Sequence, residues 1–533
     1  MYYNKFSDLF IIFTAFLQSK RKELMTMAYI LGVDIGTSGT KTVLFDENGT
    51  ALASATYEYP LYTPQNGYAE QDPGDWWNAC VQGIKEVIRE SSVPASDIKG
   101  IGLSGQMHGL VMLDRECKVI RKSIIWCDQR TSAEVKEITD KVGHDRLIEI
   151  TANPAITGFT AAKIMWVKNN EPQNYERCRH ILLPKDYIRF MLTGEFATEV
   201  SDASGMQLLD IPKRDWSDEV LDKLGIDKSL LAKVYESPEI TGQITKQVAE
   251  LTGLAEGTPV VGGAGDNAAA AVGTGVVEDG TAFTTIGSSG VVFAHTSDIS
   301  IDKKGRVHTF CCAVPGCWHV MGVTQSAGLS LKWFRDNLCW SEMETAINMG
   351  VDPYFLTDKA AMEVPIGANR LLYMPYLNGE RTPHLDPNAR GAFIGLSTMH
   401  KKKDMIRAVM EGVSYSLRDC VEVMREMNIN VSNMMACGGG GTSPLWRQML
   451  ADLYGCPVKT TQNKEGPALG VALLAAVGTG IYSSVPEACK AVIKEDKIQN
   501  PVAENSEKYE KVYALYRKLY PAMKQTFKEL AQL

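Results

Sequence analysis

Residues 32–41 read GVDIGTSGTK, and this stretch decides the predicted fold. The apolar strand before the turn ends at Asp34, and a second β-rich segment follows the turn. Gly36 and Gly39 let the backbone turn tightly and bring its N–H groups close to an anion. Thr37 and Ser38 add hydroxyl donors. The segment therefore predicts either a hairpin that cradles phosphate or a plain β-hairpin whose glycines only permit the turn.

The turn is not a P-loop, because the glycine five residues before a Gly-Lys-Ser/Thr triplet is missing and the chain returns into a strand instead of a helix. If the hairpin does bind phosphate, its candidate nucleotide ligands are Gly36, Thr37, Ser38 and Lys41.

A second hairpin of the same composition occurs nearly half the chain later. The strand at 281–286 (TAFTTI) enters the turn GSSG at 287–290, and the strand at 291–295 (VVFAH) leaves it. Two such units predict a duplicated architecture with one hairpin in each lobe. A nucleotide held between the lobes would use one hairpin for its terminal phosphates and the other, with Gly287 and Ser288, for the rest.

Strands alternate with helical patterns along the rest of the chain. Apolar positions at helical spacing occur at 75–90 and 404–428, and strands are predicted at 99–104 and 433–437. This alternation indicates α/β layers. The glycine run 438–441 lets backbone approach a flat ligand such as adenine, although four glycines are equally compatible with a flexible loop. The lysine-rich last thirty residues predict a solvated helix.

Composition excludes several classes of protein. The 55 basic and 63 acidic residues give a net charge of −8, which argues against a general nucleic-acid binder. Hydrophobic residues make up 45% and charged residues 22%, so wholesale disorder is excluded. The 12 cysteines are scattered singly except for Cys311, Cys312 and Cys317. They predict reduced, buried thiols and a cytoplasmic location. The cluster predicts two strands around the Pro315-Gly316 turn in preference to a metal site.

The N-terminal segment has no evident place in this scheme. Its apolar run at 9–17 (LFIIFTAFL) is about half the length of a membrane helix. Basic residues follow the run, which is the wrong order for a secretory signal. We interpret 1–26 as an upstream start or a loose extension, 27–260 as a first lobe and 261–533 as a second, with no association with membranes.

A carboxylate suited to base catalysis occurs at 260–275 (VVGGAGDNAAAAVGTG). The strand ends in glycines, presents Asp266 and Asn267, and continues into a helix of small residues. A helix N-terminus keeps a carboxylate ionised, as a general base must be. The alternative is that Asp266 only caps the helix.

Two further segments mix polar and aromatic side chains as sugar-binding sites do. Residues 104–109 (SGQMHG) carry Gln106 and His108, and WCDQR carries Trp126 and Asp128. The alternative for His108 is a structural histidine with satisfied hydrogen bonds. No H-E-x-x-H or G-x-S-x-G spacing occurs, which argues against a catalytic metal held by the protein alone and against a serine nucleophile.

In this order the motifs resemble the FGGY family of carbohydrate kinases over roughly residues 28–480. The motifs that carry the resemblance are GVDIGTSGTK (32–41), EQDP (70–73), SGQMHG (104–109), WCDQR (126–130), GFTAAKIMWV (158–167), LLPKDYIRFMLTGEFATE (182–199), SDASGMQLLD (201–210), GGAGDNAAAAVG (262–273), TIGSSG (285–290), PYLNGERTPH (375–384), GAFIGLSTMHKKKDMIRAVMEGV (391–413) and CGGGGTSPLWRQMLADLYGCPV (437–458).

The resemblance implies a two-lobed, actin-like (ribonuclease H-like) ATPase fold with a cleft between the lobes. It implies that Asp266 is the catalytic base and that Asp34 is the acid near Mg²⁺ and the phosphates. The other implied site residues are Met107, His108, Gln106, Trp126, Asp128, Asp266 and Asn267 for the sugar, and Gly287, Ser288, Gly439 and Gly440 for ATP.

The combination of SGQMHG, W-x-D-x-R, LPKDY and SDASG is similar to members that convert D-xylulose to D-xylulose 5-phosphate. The expected partners are the sugar and ATP with Mg²⁺, a second copy of the chain is a candidate partner, and no nucleic acid is expected. The alternatives are a related kinase for another ketose, gluconate or a polyol, and an actin-like nucleotide switch without chemistry. The carboxylate at Asp266 argues against a switch, which needs no base.

Overall fold

The computed structural model describes residues 27–533, so the predictions for 1–26 lie outside the described residues. The strands are β1 (Tyr29–Ile35), β2 (Gly39–Asp46), β3 (Ala51–Glu58), β4 (Glu70–Gln71), β5 (Ile98–Gly105), β6 (Val111–Leu113), β7 (Ser123–Ile124), β8 (His180–Leu182), β9 (Ala197–Glu199), β10 (Leu209–Asp210), β11 (Asp215–Trp216), β12 (Lys233–Tyr235), β13 (Ile240–Gln243), β14 (Pro259–Val261), β15 (Ala264–Gly265), β16 (Gly280–Ile286), β17 (Gly290–Thr296), β18 (His308–Cys311), β19 (Trp318–Thr324), β20 (Leu372–Met374), β21 (Ala392–Ile394), β22 (Val431–Cys437), β23 (Val458–Thr461) and β24 (Glu495–Gln499).

The helices are α1 (Pro73–Ser91), α2 (Ser132–Val142), α3 (His144–Thr151), α4 (Thr160–Asn170), α5 (Pro172–Arg177), α6 (Pro184–Thr193), α7 (Val200–Ala203), α8 (Asp218–Leu224), α9 (Lys246–Thr252), α10 (Asp266–Gly273), α11 (Gly328–Leu338), α12 (Trp340–Met349), α13 (Pro353–Met362), α14 (Lys402–Glu426), α15 (Pro444–Tyr454), α16 (Gly466–Gly478), α17 (Val485–Val492), α18 (Ala503–Tyr516) and α19 (Leu519–Leu530). Among residues 27–533, no helix combines the length and the apolar character needed to cross a bilayer.

Both predicted hairpins form, and each starts a seven-stranded sheet. The first sheet has the order β13-β14-β5-β1-β2-β3, with β15 also paired to β5, and the second has the order β18-β19-β17-β16-β22-β23-β24. In each sheet the first strand pairs antiparallel with the next strand and parallel with a later one. The sheets thus repeat one topology, which confirms the duplicated two-lobed α/β fold. The boundary between 260 and 261 stays a prediction; the first sheet itself extends to Gly265.

The lobes meet where α10 and α16 cross without intervening side chains. A Cβ at Gly470 would lie 1.9 Å from the carbonyl oxygen of Ala269, and one at Gly273 would lie 1.9 Å from that of Gly466. Real Cβ atoms do not approach so closely, so only glycine permits this crossing. Side chains of the first sheet, α10 and α16 share one hydrophobic cluster, which joins the two lobes.

The same helix α16 also lies directly on the first sheet. A Cβ at Gly32 would lie 2.1 Å from the carbonyl oxygen of Ala468, and one at Gly102 would lie 1.9 Å from that of Val471. Helix α16 lies in sequence between β23 and β24 of the second sheet but packs on β1 and β5. One element therefore belongs to both lobes.

The expectation of a solvated C-terminal helix is right for its basic residues, which are exposed, and wrong for its other face. The segment forms two helices, α18 and α19, and five of its aromatic side chains are buried in the second lobe: Tyr509, Tyr513, Tyr516, Tyr520 and Phe527. The lysines occupy the exposed face of these helices, and their high frequency in the sequence obscures the apolar face. The predicted turn at Pro315-Gly316 is confirmed, because it connects β18 to β19. All 12 cysteines are free thiols, and eight of them are buried, whereas Cys117, Cys127, Cys317 and Cys437 are only partly buried.

The helix crossing predicts that an added methyl group is costly at Gly470 and tolerated at Gly466 of the same helix. Gly470→Ala forces a methyl group against the carbonyl of Ala269, and overpacking of this kind costs about 1–3 kcal/mol or more. We expect a clear drop in the apparent melting temperature, measured by differential scanning fluorimetry. Gly466→Ala, at the start of the same helix, is the control because its Cβ would meet no atom within 4 Å. Equal melting temperatures for the two variants would contradict this account of the crossing.

Candidate functional site

Three strands of the first sheet end at the same edge. Parallel pairing aligns Ile35 with Gly105, and Gly265 with the same Gly105. The carboxyl ends of parallel strands meet at one edge of a sheet, where α/β proteins bind their ligands. The structure thereby brings together the first hairpin turn, the segment 106–108 and Asp266.

Hydrogen bonds from the backbone and from two glutamine side chains hold the first turn in one shape. The N–H of Gly36 donates to the carbonyl of Gly39 at 3.0 Å. Gln71 Nε2 donates to the carbonyl of Thr37 at 2.7 Å, and Gln106 Nε2 donates to Gln71 Oε1 at 2.7 Å. Gln106 is buried beneath the turn. It therefore supports the turn, and direct contact between Gln106 and a sugar stays a prediction.

The two predicted residues of the WCDQR segment have different environments. Trp126 is 43% exposed, and its indole N–H donates to Thr37 Oγ1 at 2.9 Å. Asp128 is buried, and its carboxylate accepts from Ala69 N at 2.6 Å and from Arg130 Nη2 at 2.7 Å. Trp126 thus presents an aromatic face beside the turn, whereas Asp128 is engaged in an internal ion pair and its contact with a sugar stays a prediction.

His108 has an unusual backbone conformation, with φ of 69°. Its carbonyl oxygen accepts a hydrogen bond from Lys163 Nζ at 2.7 Å and another from Thr160 Oγ1 at 3.1 Å. Lys163 also donates to the carbonyl of Gly158 at 2.7 Å. Burial lowers the pKa of Lys163 to about 7. Lys163 therefore anchors the loop that presents His108.

The protonation state of His108 follows from its neighbours. Burial and the cations of Lys163 and Arg381 lower its pKa to about 3, so the imidazole is neutral at pH 7. Nδ1 lies 3.0 Å from the carbonyl of Gly205, which can only accept, so Nδ1 carries the proton. Nε2 is then left as an acceptor for a ligand hydroxyl. The ring lies 5.0 Å from that of Phe159 and 6.3 Å from that of Phe310, which comes from the second lobe.

Met107 lies against the strand that ends at Asp266. A Cβ at Gly265 would lie 2.9 Å from Met107 Cγ, so Met107 packs directly on that glycine. Met107 is 5% exposed. The predicted sugar residues Met107 and His108 are thus adjacent to the predicted base.

The carboxylates of Asp34 and Asp266 lie close enough at this edge for the charge of Asp34 to act on Asp266. Burial and the charge of Asp34 raise the pKa of Asp266 to about 7. Burial also raises the pKa of Asp34, although the Ser104 hydroxyl and Lys41 lower it in part. Perturbed carboxylates in a cleft are typical of catalytic sites.

The structure rejects the alternative in which Asp266 caps its helix. Gly265 is the N-cap of α10, and Asp266 is the first helical residue. Asp266 Oδ1 accepts from the N–H of Asn267 at 2.7 Å and from its Nδ2 at 2.9 Å. These bonds orient the carboxylate and leave Oδ2 for a ligand.

The second turn and the glycine run border one cavity of about 290 Å³. Ser288, Gly439 and Gly440 line it, and Gly287 forms the adjacent turn; their contact with a nucleotide stays a prediction. A Cβ at Gly439 would meet no atom within 4 Å, so backbone is open to a ligand there. The other lining residues are Ile286, Gly328, Leu329, Leu331, Lys332, Asp352, Tyr354, Asp358, Ser443 and Trp446.

Lys41 connects the two lobes. Its ammonium forms an ion pair with Glu465, the residue directly before α16. The side chain stays 39% exposed, so the contact with phosphate that the sequence predicts for Lys41 stays a prediction.

The site fits a divalent cation that is held mainly by a bound nucleotide. Within residues 27–533 no group of three or more His, Cys, Asp or Glu side chains could hold a metal alone. However, Asp34 Oδ1 is buried without a hydrogen-bond partner. Mg²⁺ commonly binds through one or two carboxylates and the phosphates of a substrate, so the orphan oxygen suits it.

Comparison with known proteins identifies the family. The N-terminal domain of the FGGY family of carbohydrate kinases matches residues 29–273, and its C-terminal domain matches 282–479. The chain belongs to this family. A curated xylulose kinase from Bacillus subtilis (strain 168) is 40% identical over 93% of this chain and 97% of the relative. A gluconokinase from the same organism is 31% identical over 95% and 98%.

A solved structure agrees with this membership of the FGGY family. The crystal structure of a "xyloylose kinase" from Brucella ovis has a TM-score of 0.86 and 34% identity, and the match covers 93% of this chain and 100% of that one.

Sequence reasoning missed several residues of the site. Lys163 stands in a quoted motif, and a lysine within the apolar helix stretch TAAKIMWV was a usable signal. Phe310 and the pocket residues Tyr354 and Asp358 gave no such signal, because they lie far along the chain and only folding brings them to the cleft.

Replacement of the base tests its role. Asp266→Asn keeps the shape but removes the proton acceptor, so we expect turnover to fall about 10²–10⁴-fold, with sugar affinity nearly unchanged. In the wild type, kcat/KM should rise about tenfold per pH unit below pH 7 and level off above it, since the base must be ionised. Turnover of the variant and the pH dependence of kcat/KM are measured by coupled ADP release, and sugar affinity is measured by calorimetry.

The same variant has a stability signature with a definite sign. The folded-state pKa of Asp266 lies above the unfolded value, so ionisation destabilises the fold as pH rises from about 4 through 7. The stability of Asp266→Asn relative to the wild type should therefore increase from about pH 4 to about pH 7 and stay constant above that. Turnover within twofold of the wild type would show that Asp266 is not the base.

Proposed function

We propose that this chain transfers the γ-phosphoryl group of ATP to D-xylulose, giving D-xylulose 5-phosphate. The observation that carries the proposal is the perturbed carboxylate of Asp266 beside Met107 and His108, in a chain that is 40% identical to a xylulose kinase. The more distant gluconokinase at 31% identity makes gluconate the first alternative substrate.

In the proposed reaction Asp266 takes the proton of the sugar hydroxyl as its oxygen attacks the γ-phosphorus. The bond from that phosphorus to the bridging oxygen breaks, and ADP leaves. His108 accepts a hydrogen bond from another sugar hydroxyl through Nε2, and the indole of Trp126 offers a face to the carbon skeleton. Phosphoryl transfer depends mostly on positioning and charge stabilisation, so we expect Asp266 both to orient the nucleophile and to accept its proton.

The nucleotide would extend from the first turn to the cavity in the second lobe. Backbone N–H groups of the turns at Gly36 and Gly287 suit phosphates, and the cavity bordered by Gly439 and Trp446 suits a purine. We propose Mg²⁺ as the cation, held by Asp34. When bound, the cation neutralises phosphate charge during transfer. We also propose a cytoplasmic location, since all 12 cysteines are free.

The substrate is tested with a panel. Coupled ADP release is measured with D-xylulose, L-ribulose, gluconate, glycerol and no sugar. We expect kcat/KM for D-xylulose to exceed each of the others by about tenfold or more, because a site built to bond specific hydroxyls rejects ligands that leave its groups unpaired. Phosphorus NMR of the product should show the phosphate on C5. A best rate with gluconate or glycerol would refute the assignment, and no sugar-dependent ADP release at all would favour a nucleotide switch.

His108→Ala tests the sugar contact. Loss of an acceptor for a sugar hydroxyl should raise the KM for xylulose about ten- to a few-hundred-fold and leave ATP affinity nearly unchanged. The matched control is His180→Ala. His180 begins β8, outside the site, and the centre of its ring lies 3.8 Å from that of Phe196 in a stacked arrangement. Equal loss of sugar and ATP affinity in the His108 variant, with a large drop in melting temperature, would indicate a structural histidine.

A further inference from the structure

Five charged side chains lie directly behind the strand that ends at Asp266, and each is at most 1% exposed. Helix α6 contributes Lys185, Asp186 and Arg189, β9 contributes Glu199 and α7 contributes Asp202. Burial raises the pKa of Asp202 well above its ordinary value. The two cations Lys185 and Arg189 thus face three carboxyl groups in this buried network.

The network is held by close contacts. Lys185 Nζ lies 2.8 Å from Asp186 Oδ1, 3.2 Å from Glu199 Oε1 and 3.3 Å from Asp202 Oδ2. Arg189 Nη2 lies 2.5 Å from Asp186 Oδ1. Buried charges held this way have few alternative arrangements, because each displacement leaves a charge unpaired in a dry interior. The network is therefore a rigid support.

Two bonds connect this support to the segment that precedes Asp266. Arg189 Nη2 donates to the carbonyl of Gly262 at 3.0 Å. The N–H of Gly265 donates to Ser201 Oγ at 3.1 Å, and Ser201 Oγ in turn donates to Glu199 Oε1 at 3.0 Å. A carboxylate oxygen accepts, so the hydroxyl proton of Ser201 points to Glu199. A lone pair of Ser201 Oγ is then free to accept the hydrogen bond from the N–H of Gly265.

Gly265 is consequently held from two sides. Met107 packs on one side, where a Cβ would lie 2.9 Å from its Cγ, and Ser201 binds the backbone N–H. Asp266 follows immediately in the chain. We infer that Ser201, oriented by Glu199, is a positioning residue that sets the location of the Asp266 carboxylate for phosphoryl transfer. The inference rests on the proposed function of Asp266 as the base.

The test compares two buried serines that bond the same carboxylate. Ser201→Ala removes the bond to Gly265, whereas Ser237→Ala removes an equivalent bond to Glu199 Oε2, at 3.0 Å, without touching Gly265. A misplacement of about 1 Å costs about 10²-fold in rate. We expect Ser201→Ala to lower kcat about 10- to 100-fold with the KM values for xylulose and ATP within about twofold, and Ser237→Ala to keep kcat within about twofold.

Two further measurements separate positioning from a general loss of stability. Ser201→Thr keeps the hydroxyl and should restore most of kcat. Hydrogen exchange followed by mass spectrometry should show faster exchange at Gly265 in Ser201→Ala and not in Ser237→Ala, and this readout needs no substrate. If Ser201→Ala fails to fold, Ser201→Cys replaces the hydroxyl by a weak acceptor of similar size and should show the same loss of kcat.

The outcomes are distinct. Equal kcat in the two alanine variants, or unchanged exchange at Gly265, would overturn the positioning role. A wild type that phosphorylates no sugar would instead refute the proposed function, while exchange at Gly265 would still report on the contact itself.

Discussion

The backbone crossing of α10 and α16 is the contact on which the rest of the molecule depends. Glycines at Gly273 and Gly470 let the two helices touch through their main chains. Helix α10 begins at Asp266, and α16 follows Glu465, the partner of Lys41. One crossing thus ties α10, which follows the last strand of the first sheet, to α16, so the geometry between the two lobes is set by main-chain contact. Main-chain contacts leave less freedom than side-chain contacts, because no rotamer can relieve them.

The site also buries many polar groups, some of them paired and some, such as Asp34 Oδ1, without a hydrogen-bond partner. Lys163 bonds two carbonyls and the network around Lys185 pairs its charges, while Asp266 and Asp34 keep their mutual repulsion. Unpaired buried polar groups cost free energy. The raised pKa values of Asp34 and Asp266 therefore indicate that the fold gives up stability for reactivity in the cleft. A bound cation and nucleotide would relieve that repulsion.

Much of the fold was predictable because it follows from local patterns. Glycine turns between apolar strands predicted both hairpins, and helical periodicity predicted α1 and α14 within three residues at each end. The C-terminal helices were misread, because frequent lysines hid a stripe formed by Tyr509, Tyr513 and Tyr516. Periodicity shows that a helix has an apolar face, but the charge of its other face says nothing about what covers the first.

By itself, the sequence determined the hairpins and the α/β class and marked Asp266 as a candidate base, because each depends on residues adjacent in the chain. Only the tertiary structure decided that Asp128 pairs with Arg130, that His108 is a neutral acceptor, and that the bond from Ser201 holds Gly265. These properties depend on neighbours that lie distant in the chain, on burial and on charge. A side chain's protonation and direction are set by what surrounds it after folding, and no local pattern records those surroundings.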